Sequence, residues 1–185
     1  MIKVLLILLG VLSLWFIAVY NSLVFLKNQV LNGWKQIDVQ LKRRHDLIPN
    51  LVETVKGAMK FEQTTLTEVI EARNKAIAAG GIAEKAQQEN VLSSALRQLF
   101  ALVENYPDLK SNENVAKLQE ELVSTENRIS FARQFYNDIA TKFNIRLQTF
   151  PVNMISGMFN FKGAELFELA DASEKEPPKI DLNIK

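Results

Sequence analysis

Apolar positions recur in steps of three and four along most of the chain, the spacing of one helix face. From Leu31 to Gly57 the stretch LNGWKQIDVQLKRRHDLIPNLVETVKG places Trp34, Ile37, Leu41, Ile48, Leu51 or Val52, and Val55 on that face. Its middle carries Lys42, Arg43, Arg44, His45 and Asp46, followed by Pro49. A helix with so charged a centre needs polar partners from elsewhere in the fold. Upstream, Leu23, Leu26 and Val30 continue the register, with no Pro or Gly pair intervening. The pattern predicts one helix running out of the amino-terminal apolar segment to about Lys60. Pro49 removes a backbone hydrogen bond and predicts a kink. A hairpin at Asp46–Pro49, capped by Asp46, is the alternative.

Three more helices follow. Thr65-Leu66-Thr67-Glu68 has the form of a capping box and opens the second, which Gly80-Gly81 stops. The third runs from about Ile82 to Tyr106 with Leu92, Leu96, Leu99 and Val103 inward, and Pro107-Asp108 begins a turn. Ser111 or Asn112 caps the fourth, whose stripe runs Val115, Leu118, Leu122, Thr125, Ile129, Ala132, Tyr136, Ile139 and Phe143. That alternation of three and four suits a bundle or a coiled-coil seam. Residues 21–60 and 112–149 each span about 55 to 60 Å as helices and match as an antiparallel pair. The expected architecture is all-α. It has an N-terminal transmembrane helix (1–20), an antiparallel up-and-down four-helix bundle (21–170) and a mobile, extended C-terminal tail (171–185).

The transmembrane reading rests on residues 4–20, VLLILLGVLSLWFIAVY, within an uncharged run from Val4 to Leu26. About 17 to 20 apolar residues cross a hydrocarbon core. Trp15 and Tyr20 suit an interface. A cleaved signal peptide is the alternative, but Ala18-Val19-Tyr20-Asn21 offers no good small-residue pair. Lys3 and the amine before the segment roughly balance Lys27 and Lys35 after it, so the charges assign no side of the membrane.

Composition narrows the chemistry. There is no cysteine, which excludes disulfides, thiol catalysis and thiolate metal sites. With 22 Lys+Arg against 21 Asp+Glu, the chain lacks the positive excess on which nucleic-acid binding depends. His45 is the single histidine, too few for an ordinary zinc site, and no HExxH is present. The segment Gly157 to Gly163 lacks the Gly-Lys-Ser/Thr ending of a phosphate loop. The sequence therefore implies no catalytic residue, metal or cofactor.

Two groups remain as sites. With Asn21 near Phe150, residues 43–46 face roughly 125–128. There Glu126, Asn127 and Arg128 lie, which predicts an internal polar layer with Arg43 or Arg44 near Glu126 and Asp46 near Arg128. Such ionic layers fix register at little net stability. A ligand or partner site is the alternative. An anionic-lipid role suits Arg43 poorly, since it lies about 35 Å beyond Tyr20 along a helix, several Debye lengths away. The second group is Phe150, Met154, Met158, Phe159 and Phe161. It is read as a flap packed on the bundle or, where exposed near the bilayer, as a contact for membrane or partner.

Four stretches carry a family resemblance: WKQIDVQLKRRHDLIPNLVETVKG, EARNKA (71–76), ENRISFARQFYND (126–138) and FPVNMISGMFNFK (150–162). Together they resemble the LemA family of bacterial membrane proteins over about residues 1–170. The resemblance implies one N-terminal transmembrane helix, an antiparallel helical bundle, a place in the bacterial inner membrane and no established reaction. It also brings links to membrane proteases and to membrane-organelle proteins. His45 stands where the family often has Tyr, which argues against an essential histidine. Gly163 stands where Pro is common, which loosens the expected path after Lys162. The expected function is a non-enzymatic, membrane-anchored scaffold or adaptor. Its partners would be the lipid bilayer and a membrane protein or a second copy. An accessory or regulator of a membrane protease is the runner-up, and an unrecognised carboxylate-dependent hydrolase comes third.

Overall fold

The computed structural model describes residues 1–57 and 62–168, and every described element is helical. Helix α1 spans Ile2–Lys56, α2 Gln63–Ala78, α3 Ile82–Val103, α4 Pro107–Lys110, α5 Glu113–Gln148 and α6 Val152–Met158. The expected mobile tail lies outside the described residues.

At 55 residues, α1 is about 82 Å long. Its first four turns expose nearly every side chain, including Leu5, Leu6, Ile7, Leu8 and Leu9. That stretch is long and apolar enough to cross a membrane. The helix then passes through Pro49 without a hairpin. Proline has no N–H for the carbonyl four residues back, that of His45. Arg73 of α2 donates its Nε–H to that carbonyl at 2.7 Å. The group orphaned by Pro49 is thus satisfied by a side chain from another helix, and the helix continues.

Helix α5 lies along α1. As residue numbers rise along α1 they fall along α5: Trp34 meets Tyr136 with ring centroids 5.7 Å apart, and Arg44 meets Glu126. Gly33 makes the close approach there, since a Cβ on it would sit 3.4 Å from the Tyr136 Cα. Asn112 caps α5, its Oδ1 accepting from the N–H of Asn114 at 2.9 Å and of Val115 at 3.4 Å.

Three boundaries differ from the sequence expectation. Helix α2 opens at Gln63, because Glu62 O already accepts from Leu66 N at 3.4 Å. Thr65 therefore lies inside the first turn and caps nothing. Helix α3 ends at Val103 rather than Tyr106, since Pro107 holds Tyr106 in an extended conformation (φ −111°, ψ 99°). Pro107 then starts the short helix α4 instead of a simple turn.

The core divides in two. One cluster joins Val19 to Leu41 of α1, Ile129 to Leu147 of α5, Val152 and Ile155 of α6, and Phe167. The other joins Ile48 to Val55 of α1 with α2, α3 from Leu92 onward, Leu109, and Val115 to Leu122 of α5. Both α1 and α5 change cluster at the same level, between Leu41 and Ile48 and between Leu122 and Ile129. Arg44, His45 and Thr125 are the buried polar residues in those gaps.

Candidate functional site

The charged centre of α1 lies at this boundary. Arg44 is 1% exposed. Its guanidinium donates to Glu89 Oε2 from Nη2, and from Nη1 to Glu126 Oε2 and, at 2.9 Å, to Ser93 Oγ. The other Glu89 oxygen, Oε1, meets His45 Nε2 at 2.8 Å. Ser93 Oγ also donates to Glu126 Oε1 at 3.4 Å. All four carboxylate oxygens of the layer are thus held by protein partners. Burial pushes the Glu89 carboxyl up. The His45 hydrogen bond and the charges of Arg44 and His45 together outweigh it and hold the group below the ordinary carboxylate range. A carboxylate so held stays ionised and is poorly suited to carry protons.

Glu126 is the member that reaches solvent, its side chain 41% exposed. It borders a cavity of about 310 Å³ lined by Asn90, Ser93, Leu96, Arg97 and Phe100 of α3 and by Leu122 of α5. Among the described residues, no three His, Asp or Glu side chains converge as a metal-ligand set.

Of the residues expected in this layer, the structure brings Arg44 to Glu126. Arg43 is exposed instead and pairs with Glu121. Asp46 and Arg128 are both exposed and form no ion pair with each other, and Asn127 lies exposed beside the cavity mouth. The reason is angular. Arg44 shares the inward face with Leu41, Ile48 and Leu51, whereas Asp46, two residues further on, points away. Glu89 and Ser93 lie outside the sequence expectation, since the apolar stripe of the third helix does not mark them. The signal was present: Glu89 stands three residues before Leu92 and seven before Leu96, on the same stripe.

The aromatic segment after α5 divides. Phe159 packs on Tyr20 and Phe16 at ring distances of 4.7 and 6.0 Å. Phe161 lies between Tyr20 and Phe143, with Lys27 Nζ 5.9 Å from its ring centroid. These contacts fix α6 beside the end of the apolar stretch of α1. Phe150, Met154 and Met158 point outward and are exposed. Beyond Lys162 the path is held rather than loose. Asn144 both donates to and accepts from the backbone of Ala164, each at 2.8 Å. Asn137, two turns earlier, does the same to Phe167 at 3.1 and 2.8 Å. Tyr136 Oη donates to Glu165 O at 2.6 Å. Burial and the nearby Glu165 charge raise the Tyr136 hydroxyl pKa, so it remains a donor at neutral pH.

The family model described as "LemA family" matches residues 33–182. Protein LemA of Metamycoplasma hominis is 27% identical over 167 residues, covering 88% of this chain and 74% of that protein. Magnetosome protein MamQ 2 of Paramagnetospirillum magneticum is 25% identical over 181 residues, covering 84% of this chain. Magnetosome protein MamQ of Magnetospirillum gryphiswaldense is 23% identical over the same length. This chain spans 66% of the length of either MamQ protein. The extent of the family match, which takes in the charged centre of α1, the Asn137 and Asn144 strap and α6, places the chain in the LemA family.

Proposed function

We propose that the chain is a membrane-anchored, non-enzymatic scaffold or adaptor that works through protein contacts. It crosses the bacterial inner membrane once, by the first turns of α1. The rest of α1 forms an antiparallel, up-and-down four-helix bundle with α2, α3 and α5. One observation carries the reading. Every carboxylate oxygen of the buried charged layer is engaged by Arg44, His45 or Ser93, while three of the exposed apolar side chains, Phe150, Met154 and Met158, gather where α1 leaves its apolar stretch. The charges are occupied in holding helices together, and the surface is left for partners. The place of α6 beside that stretch supports reading the 150–161 segment as a membrane or partner contact.

A photo-crosslinking residue at Met158 of the full chain in native membranes tests this. The reading expects adducts with a membrane protein. Recurrent capture of one protease would narrow the role to an accessory of that enzyme. Adducts with lipid alone would overturn the scaffold reading in favour of simple membrane attachment.

A further inference from the structure

Between the apolar stretch of α1 and the charged layer, one side of the α1–α5 pair is covered by α6 and the strap at 164–167. The other side carries two separate grooves at successive levels, with exposed Asp138 of α5 between them. Near the membrane end, Phe25 of α1 and Ile145 of α5 flank the first, with Lys142 and Arg146 beside them. Further out, Val39 and Phe131 flank the second, with Lys35 and Arg128 beside them. The four apolar side chains are 60–73% exposed. Phe25 and Val39 are fourteen residues apart, as are Phe131 and Ile145. The apolar pair therefore repeats after about 21 Å, each time with an α5 cation three residues before its α5 member, Arg128 or Lys142; the second cation differs, Arg146 of α5 in the first groove and Lys35 of α1 in the second. No carboxylate lines either groove. None of the four cations joins an ion pair among the described residues.

We propose that this strip docks an acidic amphipathic helix of a second membrane-anchored protein. A fourteen-residue repeat is two heptads, so a docked helix would meet the apolar pairs at every second heptad, with Asn32 and Asp138 at the level between. Carboxylates flanking those residues would meet Lys35, Arg128, Lys142 and Arg146, and such complementarity selects partners. The strip begins at Ser22, just beyond Tyr20, so a helix emerging from the same membrane reaches it without a long linker. A second copy fits poorly, because two-fold seating would set the four cations against their own kind. Lipid headgroups fit only the first groove, since the second lies some 21 Å further out and lipid charge is screened within about 10 Å.

The proposal rests on the scaffold reading and is separable from it. Photo-crosslinkers at Phe131 and at Ile145 are placed one at a time in the full chain in native membranes, and the adduct peptides are sequenced. The expected adduct is a segment of another membrane protein, rich in Asp and Glu, with apolar residues at heptad spacing. Lys35→Glu with Arg128→Glu is expected to cut the yield at Phe131 about tenfold. Reversing the partner's mapped acids to lysine is expected to restore it. An unchanged circular-dichroism melt keeps loss of fold apart from loss of docking. Adducts with lipid, with a second copy or with a segment lacking acids, or no adduct at either position, would overturn the proposal. If Met158 still captured a protein in that case, the scaffold reading would stand without it.

Discussion

Arg73 donates its Nε–H to the backbone carbonyl of His45, the one carbonyl in α1 that Pro49 leaves without its helical donor. Two separate stretches of sequence thereby form one device. The proline opens a vacancy in the helix ladder, and the arginine of EARNKA fills it from α2. The bond ties α2 to α1 at the level of the charged layer, since His45 itself reaches Glu89 through its side chain.

The first prediction follows from that bond. Arg73→Met should cost about 1–3 kcal/mol, the penalty for a buried acceptor left unpaired. Pro49→Ala restores the missing N–H to α1, so Arg73→Met should cost much less in that background. Urea unfolding of the four chains in detergent or nanodiscs measures the coupling. Additive costs would mean that the two residues act independently.

The second concerns the buried layer. Arg44→Met alone leaves Glu89 ionised and buried and should cost about 3–5 kcal/mol. Glu89→Leu added to it removes the stranded charge, so the double variant should recover most of that loss. Thermal melts followed by circular dichroism read both. A double variant no more stable than the single one would show that packing, not charge pairing, dominates there.

The third is a pH dependence. Glu89 in the folded chain sits below its ordinary value of 4.5. As pH falls through 4.5, the unfolded chain takes up a proton that the folded chain still refuses, so stability declines on acidification. It is fully present above that value and lost as pH drops through the lowered one. Melting temperature should therefore fall below about pH 4.5, and the fall should be shallower in Glu89→Gln. Equal slopes in the two chains would assign the acid sensitivity to other carboxylates.

The fourth is local. Asn144→Asp keeps the acceptor for Ala164 N but sets a charged oxygen against Ala164 O. Amide exchange at Ala164 should rise by roughly an order of magnitude or more, as expected for loss of about 1–3 kcal/mol of local protection. Exchange in α2 should stay unchanged. An unaltered rate at Ala164 would show that the other contacts of the strap, Tyr136 to Glu165, Asn137 to Phe167 and Phe167 on Trp34, hold it without this one.

Much of this was legible in the sequence. The three-and-four spacing located every long helix, and Asn112 announced its cap, because both signals are local. Matching α1 to α5 by length brought Arg44 to Glu126. What escaped was angular or distant. A polar residue on an apolar stripe, Glu89, reads as solvated surface until the facing helix is known. The pairing of Pro49 with Arg73 spans two helices and leaves no spacing to recognise. Proximity in number suggests an inward Asp46, but two residues along a helix turn a side chain through more than half a circle. In the 150–161 segment, nothing in the spacing separates Phe159 and Phe161, whose rings rest on Phe16, Tyr20 and Phe143, from Phe150, Met154 and Met158, which are more exposed.

On the scaffold reading, the charged layer builds the protein and the exposed surface does its work. The most direct test replaces the layer with apolar residues, Arg44→Met with Glu89→Leu and Glu126→Leu, in the full chain in native membranes. Crosslinking from Met158 is then compared with the unaltered chain. A helical, cooperatively melting triple variant that captures the same partner at the same yield is the predicted result. A variant that melts as cooperatively yet captures nothing would contradict the account and return the layer to the site of function.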